Sequence, residues 1–204
     1  MDHLHHFYFT AQEKRFHVRP INPSDKDLFQ KGFSELSERS KFLRFFSIPR
    51  KLTKSQLHYL TEVDGMNHVA WGILDTSGDE AKPVAVGRFV KLNKDSDTAE
   101  LAITVVDSYQ HKGIAKVLAA VLHIVAAQVG VNQFRGYVLE ENNYILEILK
   151  HFEILKRAKN NHLMIVDIKV FPNHTTIPKS AAMQHFIQIM KKTELAMKGE
   201  PFSL

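Results

Sequence analysis

The 204-residue chain contains no cysteine, which excludes several kinds of chemistry at once. Without cysteine there is no disulfide framework, no thiolate nucleophile and no cysteine-ligated metal. No apolar run reaches the roughly 20 residues that a membrane-spanning helix needs, and no secretory signal pattern opens the chain. We therefore expect a cytoplasmic protein without a membrane partner.

Motifs for nucleotide and metal chemistry are also missing. The sequence has no Gly-x-Gly-x-x-Gly fingerprint, no Walker loop and no serine on a nucleophile elbow. Its 12 histidines are scattered and include no His-x-x-x-His pair, although His3, His5 and His6 lie close together near the N-terminus. We expect this group to be adventitious, and we expect no metal site.

The excess of positive charge is mild. Lysine and arginine number 27 against 22 aspartates and glutamates, which gives a net charge of +5. Such a charge suits an anionic ligand or a nucleic acid. Because the basic residues are scattered among acids instead of forming blocks, an ordinary solvated surface explains them better, and we expect no nucleic-acid partner.

The segment from Glu100 to Lys116, ELAITVVDSYQHKGIAK, has the most informative pattern. An apolar strand is followed by a short polar turn and then by a helix with an apolar stripe. The free N–H groups of a first helical turn favour an anion, and Gly113 lets the backbone approach it. The residues of this predicted anion-binding loop are Gln110, His111, Lys112, Gly113, Ile114 and Ala115.

This loop resembles the acyl-CoA-binding signature of the GNAT family of N-acyltransferases, whose usual form is Gln/Arg-x-x-Gly-x-Gly/Ala. Its flanks agree with the family as well. They supply a Glu-x-Ala strand start at Glu100, an aromatic residue at Tyr109 and a downstream Glu-Asn pair at Glu141 and Asn142.

The N-terminal third resembles the GNAT domains of bacterial protein-lysine acetyltransferases. The similar segments are Arg19-Pro20-Ile21, Ser37–Ser47, Leu52-Thr53 and Val63-Asp64. The resemblance implies an α/β fold (α+β), with a mixed, mostly antiparallel central sheet that contains a splayed strand pair and is flanked by helices. We expect an N-terminal tail at 1–14, a GNAT acetyltransferase domain at 15–170, and a linker with a C-terminal helix at 171–204.

Hydrophobic periodicity, turn residues and capping patterns predict the individual elements. Strands are expected at Phe16–Ile21, His68–Leu74, Pro83–Leu92, Thr98–Val106, Gln133–Glu140 and His162–Val170. Helices are expected from a Ser24-x-x-Asp27 capping box to Leu36, at Ser40–Phe46, after a Thr53-x-x-Gln56 capping box, from Gly113 to Gly130, from Asn143 to about Arg157, and at Ala181–Met197. The last helix either packs on its own domain, covers another subunit or gates the active site, so a homodimer stays open.

The resemblance also implies how the cofactor is held. Backbone groups of Ile103 and Val105, left free by the splayed strands, would pair with the pantetheine arm, and the Val105 N–H would donate to the thioester carbonyl. The loop from Gln110 to Ala115 would bind the pyrophosphate. Asn142 would lie against the pantetheine or the phosphates, although asparagine is equally a good helix N-cap.

Glu100 is the expected general base. A lysine amine has an ordinary pKa of about 10.4 and arrives protonated, so a carboxylate must remove its proton. The resemblance puts a catalytic glutamate at this position, at the start of a strand in the middle of the sheet, where partial desolvation would help it to act. The alternatives are an exposed, structural acid at position 100 and a base supplied by Glu62, Asp64 or Glu141.

The sequence also departs from the family pattern. The second amphipathic helix lacks the tyrosine that many members use to protonate the leaving thiolate, and Tyr144 is only a weak substitute. Glu153-Ile154 replaces the usual Gly-Phe, and His111 replaces a small residue.

We expect an N-acetyltransferase that moves an acetyl group from acetyl-CoA to a primary amine by direct attack. The acceptor is either a protein lysine or a small amine. The alternative from another class is a non-catalytic acyl-CoA sensor that signals through its C-terminal helix, and the missing tyrosine favours it.

Overall fold

The computed structural model describes residues 6–204, so His3 and His5 lie outside the described part of the chain. The strands of this part are β1 (Phe7–Ala11), β2 (Lys14–Pro20), β3 (His68–Asp75), β4 (Lys82–Lys91), β5 (Thr98–Val105), β6 (Gln133–Leu139), β7 (Ile154–Asn160), β8 (Leu163–Lys169) and β9 (Phe202–Ser203). They form one sheet in the order β7-β8-β6-β5-β4-β3-β2-β1-β9. The pairs β5–β6 and β1–β9 are parallel, and the other neighbours are antiparallel.

Helices flank this sheet on both faces. They are α1 (Lys26–Ser34), α2 (Glu38–Phe45), α3 (Lys54–Thr61), α4 (Ile114–Gln128), α5 (Asn143–Leu149) and α6 (Gln184–Ala196). The mostly antiparallel sheet between helices confirms the expected fold class. None of the helices in residues 6–204 combines the length and the apolar character needed to cross a membrane.

The two faces of β4 and β5 bury different kinds of side chain, because successive residues of a strand point to opposite sides. Phe89 and Ala99 are fully buried on the face that packs under α4. Gly87 provides the close approach there, since a Cβ at this position would lie 2.7 Å from Leu122. The opposite face, covered by α1, α2 and α3, includes Arg88, Glu100 and Ala102.

Residues 7–11, expected to belong to an N-terminal tail, form strand β1 instead. Phe7, Phe9 and Ala11 alternate with exposed residues and are buried in the main core. This period-2 pattern indicates a half-buried strand. The fold therefore begins before residue 15, the expected start, because it includes β1 and Lys14, the first residue of β2.

The expected helix from Asn143 to about Arg157 was too long. Helix α5 ends at Leu149, and Ile154–Asn160 forms β7, an edge strand that pairs with β8. Asn161, in the left-handed region at φ 53°, turns the hairpin. Strand β7 is mostly exposed and polar, so it has no alternating apolar pattern by which a strand is recognised.

The capping box predicted at Ser24 and Asp27 lies two residues earlier in the structure. The capping box is formed by Asn22 and Asp25, around a short 3-10 turn that contains Pro23 and leads into α1. The Asn22 side chain accepts the Ser24 N–H at 3.0 Å, and Asp25 accepts the Asn22 N–H at 2.9 Å. The capping box of Thr53 and Gln56 is as predicted and begins α3.

The C-terminal helix packs on its own chain. Phe186, Ile189 and Met190 of α6 are buried in the same core as α4. After α6, the chain returns to the sheet, where β9 pairs with β1. Of the readings open for this helix, packing on its own domain is the one observed.

Candidate functional site

Strands β5 and β6 separate soon after they begin to pair. Their parallel ladder runs from Thr98–Gln133 to Glu100–Arg135, and no further pair between them follows within residues 6–204. Beyond Glu100, strand β5 stays paired with β4 as far as Val105. The splayed pair is therefore present, with a gap along the second half of β5.

The backbone groups of Ile103 and Val105 face this gap. On the β4 side, the Val106 N–H donates to the Val84 carbonyl at 2.9 Å and the Thr98 carbonyl accepts from Leu92 at 3.1 Å. The even-numbered residues of β5 therefore direct their backbone N–H and C=O groups toward β4. Because this direction alternates from residue to residue, the odd-numbered residues direct theirs toward β6. The half-buried side chains of Ile103 and Val105 pack against the main core, so this edge offers a ligand mainly its backbone groups. The Val105 carbonyl already accepts a hydrogen bond from Gln110 Nε2.

The turn after β5 presents unpaired backbone donors. None of the N–H groups from His111 to Ala115 donates a hydrogen bond to another group within residues 6–204. His111 (φ 60°) and Gly113 (φ 81°) both adopt left-handed backbone conformations. Such a backbone, followed by the N-terminus of a helix of 15 residues, makes a concave surface that attracts an anion.

Gln110 holds this loop in place instead of pointing outward. Its Nε2 donates to the Val105 carbonyl at 3.1 Å and lies 3.3 Å from Ser40 Oγ. Beside it, Asp107 accepts the Ser37 N–H at 2.9 Å and both serine hydroxyls, Ser37 at 2.7 Å and Ser40 at 2.9 Å. Although burial acts in the opposite sense, these hydrogen bonds lower the pKa of Asp107. The loop is thus fastened to the start of α2.

Gly113 has a second reason to be glycine. A Cβ at this position would lie 2.8 Å from the side chain of Leu204. The Leu204 N–H donates to the Thr10 carbonyl at 2.8 Å, directly after β9. The segment that follows α6 therefore contacts the loop between β5 and α4.

The remaining predicted cofactor residues lie around the same loop. The rings of His111 and Tyr144 meet edge to face with centroids 5.3 Å apart, which joins the loop to α5. The ammonium of Lys112 lies 5.5 Å from the ring centre of Tyr109. The Asn142 side chain caps α5 by accepting the Ile145 N–H at 3.4 Å, so of its two expected roles the N-cap is the one observed.

Glu100 projects into a cleft between β4–β5 and helices α2 and α3, which we call the arginine cleft. Its volume is about 250 Å³. Its polar lining residues are Arg44, Gln56, Tyr59, Arg88 and Glu100. Glu100 itself is exposed, whereas partial desolvation was expected, and its negative charge acts on Arg44 in the same cleft.

The alternative carboxylates lie outside the arginine cleft. Glu62 pairs with Lys26 at 3.0 Å on the surface. Asp64 accepts the N–H groups of Met66, Asn67 and His68, and these bonds lower its pKa to about 2 against the effect of burial. Glu141 is exposed in the turn before α5. Of the four candidate bases, Glu100 alone lines this cleft.

The two arginines of the cleft were missed by the sequence analysis. Arg88 stands in the middle of an otherwise apolar strand, VAVGRFV, and this was a usable signal because a central strand seldom buries a charge without a reason. Arg44, in contrast, lies on a helix with several other charged residues, and nothing local distinguishes it. Among residues 6–204, no group of three or more His, Asp or Glu side chains is arranged to hold a metal ion.

This combination of a splayed parallel pair, a free-amide loop and a helix behind it is the arrangement of an acyl-CoA-dependent acyltransferase. Residues 15–153 match the family described as Acetyltransferase (GNAT) domain, and the chain belongs to this family. Acetyltransferase Pat of Mycolicibacterium smegmatis is 32% identical over 160 residues, which are 78% of this chain and 47% of that relative.

Solved structures agree with this assignment. The GNAT domain of S. lividans PAT has the same fold, with a TM-score of 0.72 at 22% identity over 80% of this chain and 96% of that chain. A cAMP-binding acyltransferase from Mycobacterium smegmatis has a TM-score of 0.57 at 28% identity, over 95% of this chain and 55% of that one. The chain thus spans about half the length of the two mycobacterial relatives.

Proposed function

We propose that this protein transfers an acetyl group from acetyl-CoA to a primary amine. The observation that supports this most directly is the run of free N–H groups from His111 to Ala115, at the end of a strand whose backbone is open beyond Glu100. These donors suit a pyrophosphate, and the open edge at Ile103 and Val105 suits the amide groups of a pantetheine arm. The residues present therefore fit the co-substrate of the family.

Glu100 acts as the base in this proposal. Acetyl-CoA supplies a thioester, whose carbonyl oxygen would accept the Ile103 N–H on the open edge of β5. The Val105 N–H expected for this role lies about 17 Å along the strand from Glu100, too far for Glu100 to act on the same carbonyl. The amine nitrogen bonds to the carbonyl carbon, the carbon–sulfur bond breaks, and coenzyme A leaves as a thiolate. Glu100 first takes a proton from the acceptor ammonium, directly or through water, so that the free amine can attack. The second proton lost from the nitrogen neutralises the departing thiolate. The acetyl group passes directly to the amine, and no covalent bond to the enzyme forms.

The acceptor belongs to the class of primary amines, with a protein lysine as our first candidate. The similarity to Acetyltransferase Pat over 78% of this chain and the resemblance of the N-terminal third support it. A small amine is the other candidate, and the volume of the arginine cleft, about 250 Å³, is compatible with it.

A sensor without catalysis is the second candidate function. The contact between Leu204 and Gly113 favours the sensor. This contact joins the C-terminal segment to the loop from Gln110 to Ala115, which we call the cofactor loop. In this case acetyl-CoA binding would alter the contact between β9 and the loop, and no acetyl group would be transferred.

Cofactor binding is tested by thermal unfolding with acetyl-CoA and with adenosine diphosphate as control. At a hundredfold excess over the dissociation constant, binding adds about 2.7 kcal/mol to the free energy of unfolding. For a domain of this size, the midpoint should rise by roughly 5–10 °C. If millimolar acetyl-CoA leaves the midpoint unchanged, the loop is not a cofactor site and both candidate functions are wrong.

Catalysis is tested by the acceptor-dependent release of free coenzyme A. The variant Glu100→Gln should lower kcat by about 10²–10⁴-fold and leave acetyl-CoA binding unchanged. Glu80→Gln is the matched control, since Glu80 is an exposed carboxylate outside the cleft. Equal turnover by the Glu100→Gln variant and the native chain would exclude Glu100 as the base. Binding without any release of coenzyme A would favour the sensor.

A further inference from the structure

Arg88 is a buried cation whose hydrogen-bond partners bear no negative charge. Its side chain reaches the Leu60 carbonyl at 3.1 Å and His68 Nε2 at 3.0 Å, and the residue is only 5% exposed. Burial and the charge of Arg88 lower the pKa of His68 to about 4, so this imidazole is neutral at pH 7 and accepts the hydrogen bond. Burial and then the charge of Arg44 lower the pKa of Arg88 itself to about 10.

Arg44 adds a second positive charge to the same cleft. It is half-buried on α2, and burial lowers its pKa, while the negative charge of Glu100 acts against this effect. The cleft therefore contains two guanidinium groups and one carboxylate. One carboxylate can balance only one of the two guanidinium groups, so one positive charge is left without compensation.

The other arginine pairs of the described chain are built differently. Arg19 binds Asp25 at 2.6 Å, and Arg135 binds Asp167 through two bonds of 2.8 and 2.7 Å. These are the arginine–carboxylate ion pairs in residues 6–204, and neither includes Arg44 or Arg88. A buried charge is costly unless it is paired, so a cleft with one unpaired guanidinium favours an anionic ligand.

The uncompensated charge lies beside the proposed base. Val90 pairs with Glu100 and Arg88 with Ala102, so Arg88 and Glu100 are diagonal neighbours on one face of the sheet. Such neighbours are separated by about 7–8 Å. The free N–H groups of the cofactor loop are far from both, because Val105 is about 17 Å along the strand from Glu100 at the usual rise per residue. The arginines are therefore placed to bind the acceptor and not the pyrophosphate.

We propose that Arg44 and Arg88 bind a carboxylate of the acceptor, so that the acetylated amine belongs to a molecule with a carboxylate a few bonds away. This inference rests on the proposed transfer to an amine and specifies its substrate class. Guanidinium groups bind carboxylates through paired, charge-assisted hydrogen bonds, and Glu100 would then face the amine end of the same molecule. A free amino acid has this chemistry, and so does a lysine with an acidic neighbour in a protein.

The experiment compares acceptors that differ only in the carboxylate. One arm uses glycine, leucine, phenylalanine and glutamate against their primary amides. The other uses a blocked lysine peptide with Glu or with Gln beside the lysine. We expect at least a tenfold preference in kcat/KM for the carboxylate member in one arm, and this arm identifies the source of the carboxylate.

Two variants assign the preference to the cleft. Arg88→Met and Arg44→Met should each reduce the preference toward one while acetyl-CoA still raises the unfolding midpoint. Arg88→Met removes an unpaired buried charge, which is costly to the fold, and keeps a side chain of similar length, so this variant is expected to fold. If the Arg88→Met variant does not fold, the Arg44→Met variant tests the carboxylate preference instead. Arg157→Met, on the exposed edge strand β7 and outside the cleft, is the control that should keep the preference.

A binding measurement keeps the proposal testable without turnover. The N-acetylated amino acids should raise the unfolding midpoint more than their amides do, and the Arg88→Met variant should lose this difference. If carboxylate and amide acceptors react equally well, or if neither arginine variant alters the preference, the proposal is wrong although acetyl transfer stands. The proposal is also wrong if succinyl-CoA is a better donor than acetyl-CoA and the Arg88→Met variant loses this preference. Arg88 would then bind the carboxylate of the acyl group and not that of the acceptor.

Discussion

Strands β4 and β5 present a buried apolar face on one side and a charged cleft on the other, because alternating residues of each strand point to opposite sides. Where β4 packs against α4, the side chains of Phe89, Val121 and Leu122 have no solvent exposure. The residue before Phe89, Arg88, points to the other face and lies in a cleft beside Arg44 and Glu100. One strand therefore belongs both to a close-packed core and to a charged site.

This difference shows how the fold holds a charged site in a fixed position. The loop proposed to bind the cofactor follows β5 after one short turn, and α4 begins at Ile114, which is almost completely buried. Because the side chains on this face are fully buried, the strand that bears Glu100 has little freedom to move. The cleft side has space for a ligand because α2 and α3 do not fill it.

The largest loss of stability should come from a substitution where the sheet packs against α4. Leu122→Ala removes a fully buried side chain that packs over Gly87, and it should lower the free energy of unfolding by about 2–5 kcal/mol. Val90→Ala, on the cleft side of the same sheet, should cost clearly less because Val90 is only half-buried. Denaturant unfolding of both variants measures the difference. Equal losses would mean that the two faces are packed alike.

The close approach at Gly87 can be tested from the opposite direction. Gly87→Ala places a methyl group 2.7 Å from Leu122, and the overpacking should cost about 1–3 kcal/mol. Gly78→Ala is the matched control, since no atom lies within 4 Å of its added Cβ. If both variants unfold at the same denaturant concentration, α4 is free to move away from β4, and the rigid support assumed for β5 does not exist.

The core side and the strand, loop and helix around residues 110–115 could largely be predicted from the sequence, and the arginine cleft could not. The loop lies within one continuous segment, where an apolar strand, a glycine and a helical stripe follow each other. The cleft joins Arg44, Tyr59, Arg88 and Glu100, which come from four elements far apart in the chain. No local pattern determines that these side chains meet.

The errors in the elements have local physical reasons. Strand β7 is an exposed edge strand with four charged or amide side chains in KRAKN, so its pairing with β8 leaves no hydrophobic trace. Strand β1 does have the alternating pattern, but its position near the N-terminus favoured a tail. The capping box of α1 was displaced because both Asn22 and Ser24 are good N-caps, and Pro23 decides for Asn22 by occupying the first position of the turn.

A pH measurement distinguishes the core histidine from those of the surface. His123 of α4 is 1% exposed and accepts the Phe171 N–H at 3.0 Å, and burial lowers its pKa from 6.5 to about 3. Below pH 6.5 the unfolded chain takes up a proton that the folded chain refuses, so the free energy of unfolding falls as the pH falls. The slope contributed by His123 should be about 1.4 kcal/mol per pH unit.

The variant His123→Gln isolates this contribution. Glutamine keeps an acceptor for the Phe171 N–H but does not titrate, so the native chain should lose more stability than the variant between pH 6.5 and about pH 5. The variant should be less stable than the native chain at pH 7 because glutamine does not reproduce the ring contacts with Phe134 and Phe171. Parallel pH profiles would show that His123 is protonated in the folded protein.

The smallest effect should come from the hydrogen bonds that fasten the cofactor loop to α2. Asp107→Asn retains the shape of the side chain but removes the charge that accepts from Ser37 and Ser40. Because Asp107 is exposed, the cost should stay below about 1 kcal/mol at pH 7. Since its folded pKa is lowered from 3.8, the contribution is present above that pH and is lost as the pH falls below it.

The same variant should affect ligand binding more than folding. Loss of the Asp107 bonds frees the start of α2, a helix that bears Arg44 in its last turn. It also loosens the loop at Gln110, whose side chain lies beside Ser40. We therefore expect weaker acetyl-CoA binding with an almost unchanged denaturation midpoint. Asp95→Asn, in the exposed turn before β5, should alter neither quantity. If Asp107→Asn lowers stability while binding is unchanged, its hydrogen bonds support the fold and do not position the site.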